Sequence, residues 1–335
     1  MTDRRTILKA FSAAPLLLAA GCATRESTTP PGVLNVGQIS NSVAFLPLFI
    51  AEKQGYFKAE GLTLGARPEL GTGAKVAAAL KSGSIDLGAG VITDAFNLAK
   101  IDDGMRIVTS LVTEYYVDIV VPPSLPEPAS LNEKIQALVG KKIGITGPGS
   151  GTEALVKYLF GSIGRDAAKD ATLVNLGGTM TSAIGALKAN RVDALSFFQP
   201  IAQQAAAADV GKTYISPARG DVPSLRGALH GVVFSTTKLL DRKRNELAAF
   251  ERAMGRALAD VHGDPAHARS LLGQYLKTTN PKALDALVPI LRKEMPATPQ
   301  VRRASYDTAR KFHLDSGLVR KAPAYDAVLY EQAAV

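Results

Sequence analysis

From residue 33 onward, apolar and polar positions switch between a two-residue and a 3.6-residue period. Residues 33–39 form a short apolar run with β-branched side chains, which predicts a strand. A polar stretch, Ser40-Asn41-Ser42, follows, and then a helical pattern over 44–54 that Gly55 closes. Residues 61–66 read as a second strand, 74–81 as an Ala-rich helix stopped by Gly83, and 85–91 as a third strand. The same order returns later: strand 142–146, a Gly-rich loop, helix 152–163, strand 172–176, helix 181–189 and strand 192–197.

The two series superpose when the first is shifted by 107 positions. Gly37 falls on Gly144, Gly71-Thr72 on Gly178-Thr179, Ala79-Leu80-Lys81 on Ala186-Leu187-Lys188, and Asp86 on Asp193. Such a repeat predicts an α/β protein of two similar lobes, each on a βαβαβ core of mostly parallel strands. The strand-like run 115–121, followed by Pro122-Pro123, suits a first crossing between lobes, and 230–235 suits the return. One lobe is therefore expected from 33–114 plus 231–335, with helices at its C-terminal end, and the other from 115–230. Two crossings make a hinge that lets an interlobe cleft open and close. Asp86 and Asp193, near strand starts, are expected to satisfy backbone donors.

In parallel sheets a ligand sits beyond the carboxyl ends of the strands. The repeat places there Ser40, Asn41 and Ser42, Gly71 and Thr72, and Gly90 and Thr93 from the first lobe. From the second come Ser150, Gly151 and Thr152, Gly178 and Thr179, and the end of the last strand with Phe198 and Gln199. These are small hydroxyls, glycines that let backbone N–H groups approach, and one apolar wall; several loops lead into helix N-termini, which favour an anionic group. Alternation sends one of Phe197 and Phe198 inward and the other outward, and leaves open which.

The loops hold no nucleophile–base pair, so recognition without catalysis is expected, and no cofactor is implied. Gly147-Pro148-Gly149-Ser150-Gly151-Thr152 lacks the Gly-Lys-Ser/Thr ending of a nucleotide-hydrolase loop and the spacing of a dinucleotide loop. The four histidines (230, 262, 267 and 313) make no metal-ligand pattern and read as structural or surface residues, so no metal site is expected. Cys22 is the only cysteine, which excludes an internal disulfide.

Residues 1–21 read as an export signal: Arg4-Arg5, an apolar run too short to span a bilayer, and Ala19-Ala20-Gly21 before Cys22. Asp3-Arg4-Arg5-Thr6-Ile7-Leu8-Lys9 resembles a twin-arginine motif, and Ala19-Ala20-Gly21-Cys22 a bacterial lipobox, in which Cys22 would carry the lipid. Residues 22–32 then form a polar, Pro-rich tether to the membrane. The 335-residue chain carries a formal charge of +9, but its basic residues are scattered and not interleaved with aromatics, so a solvated surface is expected and no nucleic-acid partner. A monomer in the periplasm or on the cell surface is the expected state.

One stretch resembles a known family. Pro47-Leu48-Phe49-Ile50-Ala51-Glu52-Lys53-Gln54-Gly55-Tyr56-Phe57-Lys58-Ala59-Glu60-Gly61-Leu62 is similar to a run found in the substrate-binding proteins of nitrate, sulfonate, taurine and thiamine-precursor ABC importers. Leu80-Lys81-Ser82-Gly83-Ser84-Ile85-Asp86-Leu87-Gly88, Leu138-Val139-Gly140-Lys141-Lys142-Ile143-Gly144-Ile145 and Gly149-Ser150-Gly151-Thr152 match further family segments in order. The resemblance implies a type II periplasmic-binding fold, an ABC permease as partner, and cleft contacts at Ser40 to Ser42, Gly71-Thr72 and Ser150 to Thr152. It implies a small, anionic or sulfonate-like organic solute; a thiamine-precursor pyrimidine or an aromatic acid is the alternative. The chain has no Trp to stack on an aromatic ring. A pyrimidine synthase of this fold needs a Cys-rich motif that a single cysteine cannot supply. A sensor's ligand-binding subunit is the remaining class.

Overall fold

The computed structural model describes residues 30–330. The export signal, Cys22 and the tether up to residue 29 lie outside the described residues. Among the described residues no helix is long and apolar enough to cross a membrane.

Among the described residues, eleven strands fall into three sheets. In chain order they are β1 (Val33–Leu34), β2 (Val36–Gln38), β3 (Thr63–Leu64), β4 (Leu87–Val91), β5 (Met105–Val112), β6 (Val117–Val121), β7 (Lys142–Ile145), β8 (Thr172–Asn175), β9 (Ala194–Phe198), β10 (Lys212–Ile215) and β11 (Gly231–Thr236). The first lobe is built on the order β2-β4-β11-β5, the second on β10-β6-β9-β7-β8, and β1 and β3 form a small parallel pair. The expected 33–39 strand is thus split at Asn35, whose N–H is held by Asp86 Oδ2 at 2.8 Å.

The sheets are mixed where mostly parallel ones were expected. β2 and β4, and β8, β7 and β9, run parallel; β11 and β6 run against their neighbours. Those two antiparallel strands follow the crossings, β6 on the way out and β11 on the way back, so each enters its sheet from the other lobe.

The repeat extends to side-chain chemistry. Asp86 Oδ2 accepts from Asn35 N–H in the first lobe, and Asp193 Oδ2 accepts from Lys142 N–H in the second, both at 2.8 Å and both displaced by the same interval. At Gly37 an added Cβ would strike Ile85 and Leu70; at Gly144 it would strike Leu176 and Leu195. Both positions need glycine because apolar side chains close directly over the strand.

Apolar side chains cover both faces of each sheet. On β4, Leu87, Ala89 and Val91 enter one core, while Gly88 and Gly90 leave the other face free for Val76, Leu80 and Phe234. The helix Arg303–Asp315 joins the lobes: Tyr306 and Ala309 pack into the first, and Phe312 into the core of the second.

Candidate functional site

A cleft of about 410 Å³ lies between the lobes at the carboxyl ends of their strands. One wall comes from the first lobe: Ile39, Ser40 and Ser42 after β2, Gly71 and Thr72 before the helix Gly73–Ser82, and Asp94 and Asn97 on the helix Ile92–Ala99. The opposite wall is the 146–150 loop and the start of the helix Gly151–Ser162, together with Asn175 at the end of β8 and Gly177 and Gly178 after it. The floor is made where the chain crosses: Tyr116, Val117, Phe198 and His230.

Thr72 and Ser150 cap helices that start on facing walls. Thr72 Oγ1 accepts from Lys75 N–H at 3.3 Å, and Ser150 Oγ from Glu153 N–H at 3.3 Å. The opening amides of a helix have no intrahelical acceptor, and the residues that carry them here, Gly73, Ala74, Gly151 and Thr152, line the cleft. Thr152 is buried and its Oγ1 is bonded to Thr146 N–H, the Thr146 hydroxyl and the Ser150 hydroxyl at 3.0, 2.9 and 2.7 Å. It shapes the loop that presents Ser150. Gly147 and Gly149 have φ of 157° and 78°; the latter is a left-handed conformation that favours glycine.

The cleft lining has one carboxylate and neither Lys nor Arg. Asp94 Oδ2 accepts from Val91 N–H at 3.0 Å, and the carboxyl group presses so closely on Gly73 that a Cβ there would overlap it. Burial raises the Asp94 pKa to about 6, against the pull of the Val91 N–H bond. His230 is buried, and burial first, then His313, holds its pKa well below the usual value, so its ring is neutral. Its Nδ1 has no hydrogen-bond partner, and the ring stands edge-on to Tyr115 and Tyr116 at 4.1 and 4.6 Å.

The walls meet at the cleft mouth. Asn97 Nδ2 donates to Gly149 O at 3.3 Å, and a Cβ on Gly178 would lie 3.8 Å from Gly71 O. Within the second lobe, Tyr115 Oη donates to Gly151 O at 2.6 Å and fixes the loop that meets the first lobe. The lobes are closed on one another.

Of the residues expected in the cleft, Ser40, Ser42, Gly71, Thr72, Ser150, Gly151, Thr152, Gly178 and Phe198 line it, and Phe197 is the inward member of its pair, in the core. Five expected residues stand elsewhere. Asn41 turns outward, accepting from Gln38 Nε2 and donating to Glu69. Gly90 makes room for Asp94 and Phe234. Thr93 is buried and its hydroxyl bonds His313 Nε2 at 2.6 Å. Thr179 is exposed, outside the lining, at the N-cap position of the helix Met180–Lys188 without a side-chain capping bond, and Gln199 points behind the floor to Glu294. Asp94, Asn97, Asn175 and Tyr116 were not anticipated, and His230, read as structural or surface, is part of the floor. Asp94 had one local signal, an acid in the first turn of a helix, but that pattern is also what the helix dipole alone would select.

The sequence model of a family described as NMT1/THI5 like matches residues 42–268. No curated protein matches the chain. Solved structures share the architecture. A protein of Bordetella bronchiseptica RB50 is 23% identical, with a TM-score of 0.71, over 85% of this chain and 89% of that one. The alkanesulfonate-binding protein SsuA of Xanthomonas axonopodis pv. citri, solved with MOPS bound, is 20% identical, with a TM-score of 0.70, over 90% and 99%. The periplasmic aliphatic sulphonate-binding protein SsuA of Escherichia coli is 16% identical, with a TM-score of 0.69, over 91% and 94%. The expected type II periplasmic-binding fold is the fold observed.

Proposed function

The chain belongs to the NMT1/THI5-like family, and we propose that it is the exported solute-binding component of an ABC-type importer, holding a small organic solute between its lobes by cleft closure. The observation that carries this reading is the cleft itself: each lobe contributes glycine-rich loops, hydroxyls and a capped helix N-terminus to one shared volume. A solute that touches both walls stabilises the closed arrangement over an open one. Recognition by a membrane permease, a lipid on Cys22 and a monomeric state complete the proposal, as do lobes divided at the crossings near residues 115 and 230. The helix Arg303–Asp315, which packs on both lobes, would follow their motion.

The solute is read as an organic acid of sulfonate or carboxylate type. Its acidic group would sit on the amides at the start of Gly151–Ser162, where the helix end compensates for the missing Lys and Arg, since the start of Gly73–Ser82 on the facing wall is already met by the Asp94 carboxyl. The neighbours that bind sulfonates support this choice. Asp94 requires a hydrogen-donating group at the other end of the solute, so a bare inorganic anion satisfies only half of the cleft. We read the site as one of recognition without turnover, since its one acid and its neutral imidazole lack a neighbouring nucleophile.

A thermal-shift screen of sulfonates, carboxylates, nitrate and pyrimidines, followed by calorimetry, tests the reading. Acids that carry an amine or hydroxyl should raise Tm most, and Asp94→Asn should weaken those at least tenfold while changing a donor-free sulfonate less than threefold. A screen in which no class raises Tm, or chemical conversion of a bound compound, overturns it.

A further inference from the structure

A shallow groove of about 760 Å³ shares no lining residue with the cleft. One side is Ala99 and Lys100, at the end of the helix Ile92–Ala99. The other is the strap that follows the helix Arg303–Asp315, with Leu318, Arg320, Lys321 and Pro323. The strap is held firmly. Gly317, at φ 67°, makes the left-handed turn that commonly follows a helix end. Arg310 Nε donates to Ala322 O and Pro323 O at 3.0 and 2.9 Å, and Tyr306 Oη to Pro323 O at 2.9 Å.

The lining holds three exposed cations, Lys100, Arg320 and Lys321, and no carboxylate. Cations close by are paired: Lys81 Nζ with Asp102 at 3.5 Å, Lys311 Nζ with Asp315 at 2.7 Å, and Arg303 with Asp326. The three in the groove have no carboxylate partner among the described residues; Lys100 Nζ donates to Asn97 Oδ1 at 2.8 Å. Like charges gathered in a concavity concentrate a positive field there. The base between them is apolar, and Ile101, next to Lys100, is 60% exposed. Among the described residues it is the large apolar side chain left in water.

The groove is also tied to the position of the lobes. Leu318 packs against the core of the second lobe, while Val319 and Ala322 enter the core of the first. Three residues before Lys100, Asn97 donates to Gly149 O and joins the cleft walls. The strap therefore spans both lobes, and the groove has this shape when they are closed.

We propose that this groove is a docking surface for an acidic polypeptide segment of a partner protein, assembled by closure of the lobes. Acidic side chains of the segment would meet Lys100, Arg320 and Lys321, and an apolar one would lie along Leu318 and Ile101. A concave groove fits a chain segment better than it fits the plane of an anionic membrane. A second copy of this chain, with a formal charge of +9, is a poor source of the acid. The partner's identity as a membrane permease rests on the importer reading; the chemistry of the groove does not.

The probe is a fluorescein-labelled peptide of Glu-Glu-Leu repeats, titrated by anisotropy with the full chain in the absence of solute. Saturable binding that weakens with salt is expected. Lys100→Glu, Arg320→Glu and Lys321→Glu together should weaken it at least tenfold. The same reversal at Lys188, Lys277 and Lys282, exposed elsewhere, should change it less than about twofold. All six side chains are exposed, so both variants should keep the wild-type Tm. Gly178→Trp, placed where a Cβ lies 3.8 Å from Gly71 O and checked by small-angle scattering to hold the cleft open, should weaken the peptide about threefold or more. No saturable binding by the wild type overturns the proposal, as do equal losses in the two triple variants. Binding to phosphatidylglycerol vesicles but not to the peptide, lost in the groove variant, overturns it in favour of a membrane. Unchanged peptide affinity in the opened variant overturns the dependence on closure. No solute enters the assay, so its failure is distinct from failure of the solute screen.

Discussion

Two cavities of similar volume, about 410 and 400 Å³, lie on opposite faces of the same pair of strands, and their chemistries are complementary. The front one is framed by glycines, hydroxyls and helix starts that present N–H donors, with one carboxylate. The rear one is lined by Asp118, Glu294, Gln199 and Gln203, each with one oxygen that lacks a donor, beside Lys293 and Arg219. The difference arises from the pleat. A shift of one residue, from Val117 to Asp118 or from Phe198 to Gln199, moves a side chain from one environment to the other. Specificity for a solute and cohesion of the hinge are therefore written in adjacent positions of the same strands.

The contrast breaks most severely at Gln199. Gln199→Leu removes the side-chain donor to Glu294 Oε1 and leaves a buried carboxyl oxygen without a partner, so urea denaturation at pH 7 should show a loss of about 2 kcal/mol, with little change in solute affinity. A loss below about 1 kcal/mol would mean that water already serves these groups. Glu294→Gln acts in the other direction and depends on pH. Because burial raises the folded pKa to about 8 from an ordinary 4.5, the wild type holds a proton that the unfolded chain releases. Its stability from this group is full below pH 4.5 and is lost as pH rises towards 8. The variant should match the wild type near pH 4.5 and exceed it by about 2 kcal/mol at pH 8.5. Parallel pH–stability curves would contradict this. The smallest effects belong to the front. Thr72→Ala and Ser150→Ala should each weaken the solute by about 1 kcal/mol and, since both hydroxyls cap helices, lower stability by about the same amount. Thr72→Gly should recover most of the stability and none of the affinity, which separates the two roles.

The backbone of this arrangement was legible in the sequence because it is local and repeated. Gly37 and Gly144, Asp86 and Asp193, and the helices that end at Gly55 and Gly83 announce themselves by spacing and turn chemistry. What was not legible depends on parity or on distant partners. Phe197 and Phe198 became distinguishable only when β6 fixed which face of β9 meets the cleft. Thr93 looked like a cleft hydroxyl until His313, 220 residues away, took it. Gln199 and Glu294 gave no sign of each other across 95 residues. Asp94 sits in an apolar stretch whose one acid the helix dipole explains equally well, and only the approach of Gly73 shows where its carboxyl lies.

The floor of the cleft is made from the crossings themselves, at Tyr116, Val117 and His230. Points on an axle travel little when a gate swings, whereas Thr72 and Ser150 stand out on its leaves. A compound that lodges only against the rings at the pivot would occupy the protein without reporting its presence. A compound that spans the leaves would change the silhouette offered to a membrane partner. Inhibitors of uptake and genuine cargo could therefore share one pocket and differ only in reach.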